Sequence, residues 1–243
     1  MKNVQHFILT KFNQGLYTEP LRDKTGQKIQ RDQWMKQRLA LFEKYCLPSI
    51  INQVNQEFTW LLLLDPQTPK KYLRRLARYK NAYHNIRLCL GGWFDSHLKR
   101  MIKQGTKFLI TTRIDNDDAL HQKAIRYIQN SFRQQELQLV GFPLGYHLEG
   151  DRLYLNKSGS YSFLSLIEKV RRVDGRLQIK TVRCPHHLRF YKTSKIRFLK
   201  PDTPMWLQII HGRNLVNQAK GSPVPLDELN RRVFGITGKE RHG

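Results

Sequence analysis

The run Lys107-Phe-Leu-Ile-Thr-Thr-Arg-Ile-Asp-Asn-Asp-Asp-Ala-Leu120 carries an apolar strand straight into Asp115, Asp117 and Asp118, with Arg113 just ahead of them. In an extended segment alternate side chains share a face, so Thr111, Arg113, Asp115 and Asp117 fall on one side and Thr112, Ile114 and Asn116 on the other. Two carboxylates beside a guanidinium suit a metal-bound diphosphate. Mg²⁺ takes one or two protein carboxylates and leaves its other positions to water and substrate phosphates. The same residues also have an ordinary reading, since Asp and Asn form turns and Asp118 before Ala119-Leu120 is a good helix N-cap. That reading accounts for Asn116 and Asp118 but not for the alignment of Arg113, Asp115 and Asp117 behind a strand.

The elements that must position these residues are legible as alternating patterns. Strands are expected at Val4 to Phe12, Phe58 to Leu64, Ile86 to Leu90 and Lys107 to Asp115. Between them lie helices at Gln33 to Tyr45, with Pro48 near its end, at Lys70 to Tyr83 and at Phe94 to Gln104. Such alternation predicts an α/β fold with a mostly parallel sheet and right-handed crossovers, whose ligands bind outside the carboxyl ends of the strands. Asp65 ends the second strand and Asp115 and Asp117 end the fourth, so all three belong to that edge. Beyond a helix expected over Ala119 to Gln134 the character changes. Short strands are expected at Gln138 to Phe142 and Arg152 to Leu155, a helix-like apolar piece over Ser162 to Val170, and a last strand over Met205 to Ile210. No repeat or low-complexity linker divides the chain. A single domain is therefore expected over 1–243, with a nucleotide- and metal-binding half to about residue 135, an acceptor-side half over 136–243, and a change of character near Gly145.

The 243 residues carry Lys+Arg 43 against Asp+Glu 19, a net charge of +24, which predicts attraction to polyanions such as nucleic acid, anionic lipid or phosphorylated substrates. A 40% hydrophobic share and a mean hydropathy of −0.59 fit a packed core rather than a basic disordered tail. No stretch approaches the ~20 apolar residues of a membrane span or the form of a signal peptide, so a cytosolic location is expected. Three scattered cysteines, Cys46, Cys89 and Cys184, argue against a disulfide framework or a zinc ribbon, and Cys184-Pro-His-His187 lacks a second ligand pair at zinc spacing.

Several segments together resemble the bacterial rhamnosyltransferase family, glycosyltransferases of the GT-A type. They are His6-Phe-Ile-Leu-Thr-Lys-Phe-Asn13, Leu41-Phe-Glu-Lys-Tyr-Cys-Leu-Pro-Ser49, Phe58-Thr-Trp60 with Asp65, Thr112-Arg-Ile-Asp-Asn-Asp-Asp-Ala-Leu120 and Trp206-Leu-Gln-Ile-Ile-His-Gly-Arg-Asn214. The resemblance runs from Val4 to about Asn217, and the acidic segment is its most specific part. It departs from the family at Lys11, where Arg is commoner. The resemblance implies a nucleotide-sugar donor whose two phosphates are bridged by Mn²⁺ or Mg²⁺ on Asp115, Asp117 and Asp118, with Asp117 the leading ligand. The ion would act on the departing diphosphate as Lewis acid and template. It further implies His211 as a late metal ligand, Asp65 as acceptor of a pyrimidine hydrogen bond, and Thr10, Lys11, Lys99 and Arg100 around the nucleotide, beside Arg113. Each has an ordinary alternative: a turn aspartate before Pro66, solvated helix charges at Lys99 and Arg100, a hydrogen-bonded histidine at a strand end.

Inverting transfer needs a base for the acceptor hydroxyl. Glu168 is the expected candidate, Glu149 and Asp151 are substitutes, and an i,i+4 pair of Glu168 with Arg172 is the plain alternative. The leading expectation is transfer of rhamnose or a related sugar to a glycan or lipid-linked acceptor, with the basic segment after Lys169 facing an anionic acceptor or membrane surface. A basic nucleic-acid binder is the alternative from charge alone, but no recognition module accompanies the charge. A two-metal phosphoesterase would want more clustered ligands than this region supplies.

Overall fold

The computed structural model describes residues 2–20, 22, 26–182, 195–211 and 218–236. Its strands, in chain order, are β1 Val4–Lys11, β2 Thr59–Leu64, β3 Ile86–Leu90, β4 Phe108–Arg113, β5 Ala119–Leu120, β6 Leu137–Gly141 and β7 Gly145–Glu149. They continue as β8 Arg152–Asn156, β9 Ser165–Lys169, β10 Arg171–Val173, β11 Arg176–Gln178, β12 Ile196–Phe198, β13 Trp206–Ile210 and β14 Ser222–Val224. The helices are α1 Arg31–Leu41, α2 Leu47–Ile51, α3 Lys70–Ala82, α4 Phe94–Met101, α5 Ala124–Asn130 and α6 Glu228–Val233.

The expected α/β architecture is present. The main sheet has the order β12-β6-β9-β4-β1-β2-β3, with β4, β1, β2 and β3 parallel and β9 antiparallel to both β4 and β6. Trp60 to Leu64 are all buried, as a continuous apolar run between two strands requires. One cluster around Phe12, Phe42 and Trp60 packs the α1/α2 side, and another around Leu61, Phe94 and Leu98 packs the α4 side. A second sheet, β14-β8-β7-β13-β5, lies against a third cluster containing Tyr45, Leu207 and Phe234.

Three expectations about elements are corrected. Ser162 to Val170 is not helical: its buried run Ser165–Glu168 is strand β9, inserted between β4 and β6. A short, fully buried apolar run has no period that separates strand from helix, and the pairing with two neighbours decides it. Ala119 to Gln134 is not one helix either. Ala119 and Leu120 pair with Leu207 and Trp206 of β13, His121 N–H bonds to the Met205 carbonyl at 3.0 Å, and only Ala124–Asn130 is helical. Near Pro48 the helix does not stop. Phe42–Cys46 widens into a π turn in which the Leu47 amide reaches the Phe42 carbonyl, and α2 carries on through Pro48 to Ile51.

Strand β13 delivers His211 to the site, and Trp206 pins it. The fully buried indole stacks on Phe163 with centroids 5.2 Å apart and donates to the Phe142 carbonyl at 3.2 Å. It lies so close over Gly145 that a Cβ there would meet ring atoms at 1.9 and 2.0 Å. Gly145→Ala is therefore expected to destabilise at the upper end of the ~1–3 kcal/mol typical of overpacking, seen as a clear fall in Tm. An unchanged Tm would show that Trp206 is free to move.

Among the described residues no helix is long and apolar enough to cross a membrane. Cys184, His186 and His187 and most of the basic run toward Lys195 lie outside the described residues.

Candidate functional site

Strand β4 ends at Arg113, and the chain leaves the carboxyl edge of the sheet through Ile114 to Asp118 before pairing with β13. Ile114 is buried, which fixes the turn and leaves polar groups on both sides of it. Asn116 donates to the Phe12 carbonyl at 2.7 Å, tying the turn to the end of β1. Asp117 is 4% exposed, and its Oδ2 gathers two partners, the Arg38 guanidinium from α1 and His211 Nε2 at 3.0 Å from the end of β13. One carboxylate oxygen thus joins groups from three separate parts of the chain.

The neighbouring acids have different roles. Asp115 is held by Arg113 Nη2 at 3.1 Å. Asp118 Oδ1 accepts the Ile209 amide at 2.9 Å, so this carboxylate fastens the turn to β13 and caps no helix. Burial first, then the charges of Asp117 and Asp115, push the Asp118 carboxyl well above the usual carboxylate range, against the Ile209 amide and Arg38, which pull it down. The same three carboxylates also raise the buried Cys46 thiol, after the larger effect of its burial. The turn is therefore a concentration of negative charge that arginine side chains offset.

Among the described residues no group of three or more His, Cys, Asp or Glu side chains converges as a metal site. Of the four expected ligands, Asp117 and His211 meet, whereas Asp115 is engaged by Arg113 and Asp118 by the Ile209 amide. One carboxylate and one imidazole remain a serviceable donor pair, because Mg²⁺ or Mn²⁺ in phosphate chemistry is commonly held by one or two side chains plus substrate oxygens. That the shared Asp117 oxygen already attracts a cationic side chain shows its affinity for positive charge.

Asp65, at the carboxyl end of β2, is completely buried and accepts four hydrogen bonds. Its Oδ2 accepts from Tyr17 N (3.0 Å), Thr18 N (3.1 Å) and Thr18 Oγ1 (2.9 Å), and its Oδ1 accepts from Gln67 N (2.8 Å). Burial alone would raise this carboxyl, but the bonds from Gln67, Tyr17 and Thr18 outweigh it and hold it below the usual range. With three donors on Oδ2 and one on Oδ1, Asp65 clamps the loop after β1. Asn13 completes the clamp, accepting the Asp65 amide at 3.2 Å and donating to Thr68 Oγ1 at 2.9 Å. Thr10 also points inward, its hydroxyl accepting the Trp60 indole N–H at 3.0 Å, while Lys11 is exposed at the strand end.

Lys99, Arg100 and Glu168 lie elsewhere. Helix α4 starts at the carboxyl edge and runs back along the sheet, so its last turn, with Lys99 and Arg100, reaches the amino edge, where Gln5 Nε2 donates to the Met101 carbonyl at 3.2 Å. In the antiparallel register Glu168 faces Leu109, six residues before Asp115 and about 20 Å away at ~3.3 Å per residue. There Glu168 accepts the Lys180 and Thr181 amides at 2.7 and 2.9 Å and is pushed up by burial against those bonds. It shares a cavity of about 460 Å³ with Lys99, Glu136, Lys169, Arg171 and Lys180. The helical pair with Arg172 is likewise absent, since the segment is a strand. Lys99→Ala and Glu168→Gln are expected to leave nucleoside diphosphate affinity within about twofold, the ~0.5 kcal/mol scale of changes away from a site. A larger loss in titration calorimetry would bring the amino edge into the donor site.

Arg38 is the residue at this site that sequence reasoning missed. It stands on α1 between the inward-facing Met35 and Leu39, and its guanidinium lies over the Trp34 ring at 5.2 Å. The i,i+4 spacing of Trp34 and Arg38 was the one available signal.

A family described as "Putative rhamnosyl transferase" matches residues 9–223. Among solved structures, S. aureus TarS matches with 10% identity over 86% of this chain and 37% of that one, TM-score 0.45. S. aureus TarS 1–349 matches with 11% identity over 86% and 60%, TM-score 0.40, and its complex with UDP with 15% identity over 62% and 37%, TM-score 0.35. The chain thus spans 37 to 60% of the lengths of these TarS chains. Nothing matches among curated proteins.

Proposed function

The chain belongs to the rhamnosyl transferase family, and on that premise we propose that it is a glycosyltransferase using a nucleoside-diphosphate sugar and a divalent cation. The observation that carries this reading is the convergence of Asp117 and His211, 3.0 Å apart, at the carboxyl end of β4. Two elements that each have other reasons to be buried there present one oxygen and one nitrogen donor to the edge where ligands of parallel sheets bind. A bound Mn²⁺ or Mg²⁺ would neutralise charge developing on the departing diphosphate. The protein's own part is to hold the donor's phosphates at this edge, with Arg113 keeping Asp115 in place, and to exclude water from the buried turn.

The donor sugar is proposed as rhamnose or a related hexose and the acceptor as a glycan or lipid-linked glycan. The charge of +24 supports an anionic acceptor or peripheral contact with an anionic membrane. The base that deprotonates the acceptor is assigned to the β7–β8 turn. Register puts Glu149 opposite Ile210, one residue before His211, and Glu149 and Asp151 are both exposed there. Glu149→Gln combined with Asp151→Asn is expected to keep donor binding and to lower transfer by the ~10²–10⁴-fold of a lost general base.

The reading is tested by thermal unfolding and donor hydrolysis across a panel of nucleotide sugars, with Mn²⁺ and with EDTA. A Tm rise with one nucleotide class that EDTA removes is the expected result. A chain stabilised by none of them but by random oligonucleotides at low salt would be a nucleic-acid binder.

A further inference from the structure

We propose that Arg38 is a positioning residue of the donor site that alternates between two anions, standing on Asp117 when the site is empty and on the donor's diphosphate when the metal is bound. The inference rests on the metal-dependent reading above and adds to it a residue from α1 and a coupling between cation and phosphate.

Arg38 Nη1 contacts Asp117 Oδ2, the same oxygen that His211 approaches at 3.0 Å, and reaches Asn116 Oδ1 at 3.3 Å. A divalent cation held by Asp117 and His211 would take its place at that oxygen, so guanidinium and metal compete for one position. The Arg38 side chain is 17% exposed against 6% for Asp117, so it is the partner nearer to solvent. Among the described residues only Nη1 of the guanidinium is engaged in hydrogen bonds, which leaves the rest of a planar fork suited to phosphate oxygens. The Trp34 face, 5.2 Å from Cζ, supports the guanidinium plane independently of Asp117 and gives it a pivot.

The charge balance points the same way. Asp115, Asp117 and Asp118 crowd one turn, where Arg113 pairs with Asp115 and Arg38 with Asp117. In the empty site Arg38 supplies the compensation that a metal supplies later. Once a divalent cation occupies Asp117, the guanidinium is repelled from it and attracted by the diphosphate that the same cation brings in. Metal and diphosphate therefore bind with positive coupling, and Arg38 is the element both of them move.

The test is calorimetric titration of the full chain with Mn²⁺ alone, and with uridine and deoxythymidine diphosphates in EDTA and in Mn²⁺. Arg38→Ala is expected to bind Mn²⁺ alone at least about tenfold more tightly than the parent, because the competitor is gone. It is expected to bind the diphosphate in saturating Mn²⁺ at least about tenfold more weakly, because a charge-assisted fork is lost. Arg38→Lys, which keeps the competing charge, should return Mn²⁺ affinity to the parent level. Unchanged or weaker Mn²⁺ binding by Arg38→Ala, unchanged diphosphate affinity, or a lysine variant that behaves like alanine each overturns the proposal. Diphosphate binding that Mn²⁺ does not affect in the parent overturns the metal reading instead, and the comparison of parent with Arg38→Ala in Mn²⁺ then still decides whether Arg38 holds phosphate.

Discussion

Asp117→Ala is expected to remove Mn²⁺-dependent diphosphate binding altogether while the chain still unfolds cooperatively. Among the described residues Asp117 is the acid of this turn that meets an imidazole, while Asp115 pairs with Arg113 and Asp118 accepts the Ile209 amide. Outer-shell partners of metal ligands already cost 10–100-fold when removed, so loss of the leading ligand is expected to exceed about 100-fold. The stability change is smaller and has two parts. Removing Asp117 strands a partly buried Arg38 and His211, but it also relieves Asp118 of the larger of its two like-charge effects. The net cost is expected to stay within about 1–3 kcal/mol, the range for a lost charged hydrogen bond that water can partly replace. Asp117→Asn separates charge from shape: it can still accept from Arg38, yet should bind Mn²⁺ little better than alanine. Calorimetry with Mn²⁺ and a nucleoside diphosphate decides the matter, and parental metal dependence in either variant would remove Asp117 from the site.

What the sequence disclosed and what it withheld divide along a physical line. The parallel β-α units were readable because each buried strand and each amphipathic helix carries its own period, as in Phe58 to Leu64 and Lys70 to Ala82. Asp65, Asp115 and Asp117 were placed on the carboxyl edge for the same reason: position at a strand end follows from local pattern. What those side chains touch does not. The Asp65 oxygens are taken by Tyr17 and Thr18 from a loop without periodicity, and Asp118 is taken by the amide of Ile209, 91 residues further along the chain. The segment of Glu168 is apolar on both faces and looks helical from its sequence, whereas it is an antiparallel strand that returns Glu168 to the opposite edge. Lys99 and Arg100 precede the motif closely in sequence, yet α4 runs away from the edge and ends beside Gln5. The expectation for His211 comes from family resemblance rather than pattern, because a strand-end histidine has no local signature that separates a ligand from a hydrogen-bonded side chain.

Asp65→Ala is expected to lower stability more than any other single change at the edge, and to do so in a pH-dependent way. The substitution deletes four accepted hydrogen bonds at once and leaves the Tyr17 and Gln67 amides to find water in a half-buried loop. At roughly 1 kcal/mol net per bond, and somewhat more for bonds to a charged group, the loss should reach about 3–5 kcal/mol. Asp65→Asn is the sharper probe, because it fills the same space but turns an NH₂ group toward amides that need an acceptor. The sign of the pH effect follows from the depressed carboxyl. The ionised form is favoured by folding, so its contribution is complete above the unfolded-state value of ~3.9 and is lost as pH falls through the lower folded-state value. The parent should therefore lose stability on acidification through that window, and Asp65→Asn should lack that part of the decline. Chemical denaturation at neutral pH and at about pH 3 measures both effects, with the neutral-pH gap between parent and Asn variant expected to narrow in acid. If Asp65→Asn instead unfolds like the parent at neutral pH and only loses pyrimidine nucleotide binding, the carboxylate serves the base after all. The loop contacts of Tyr17 and Thr18 would then have to open when the donor arrives.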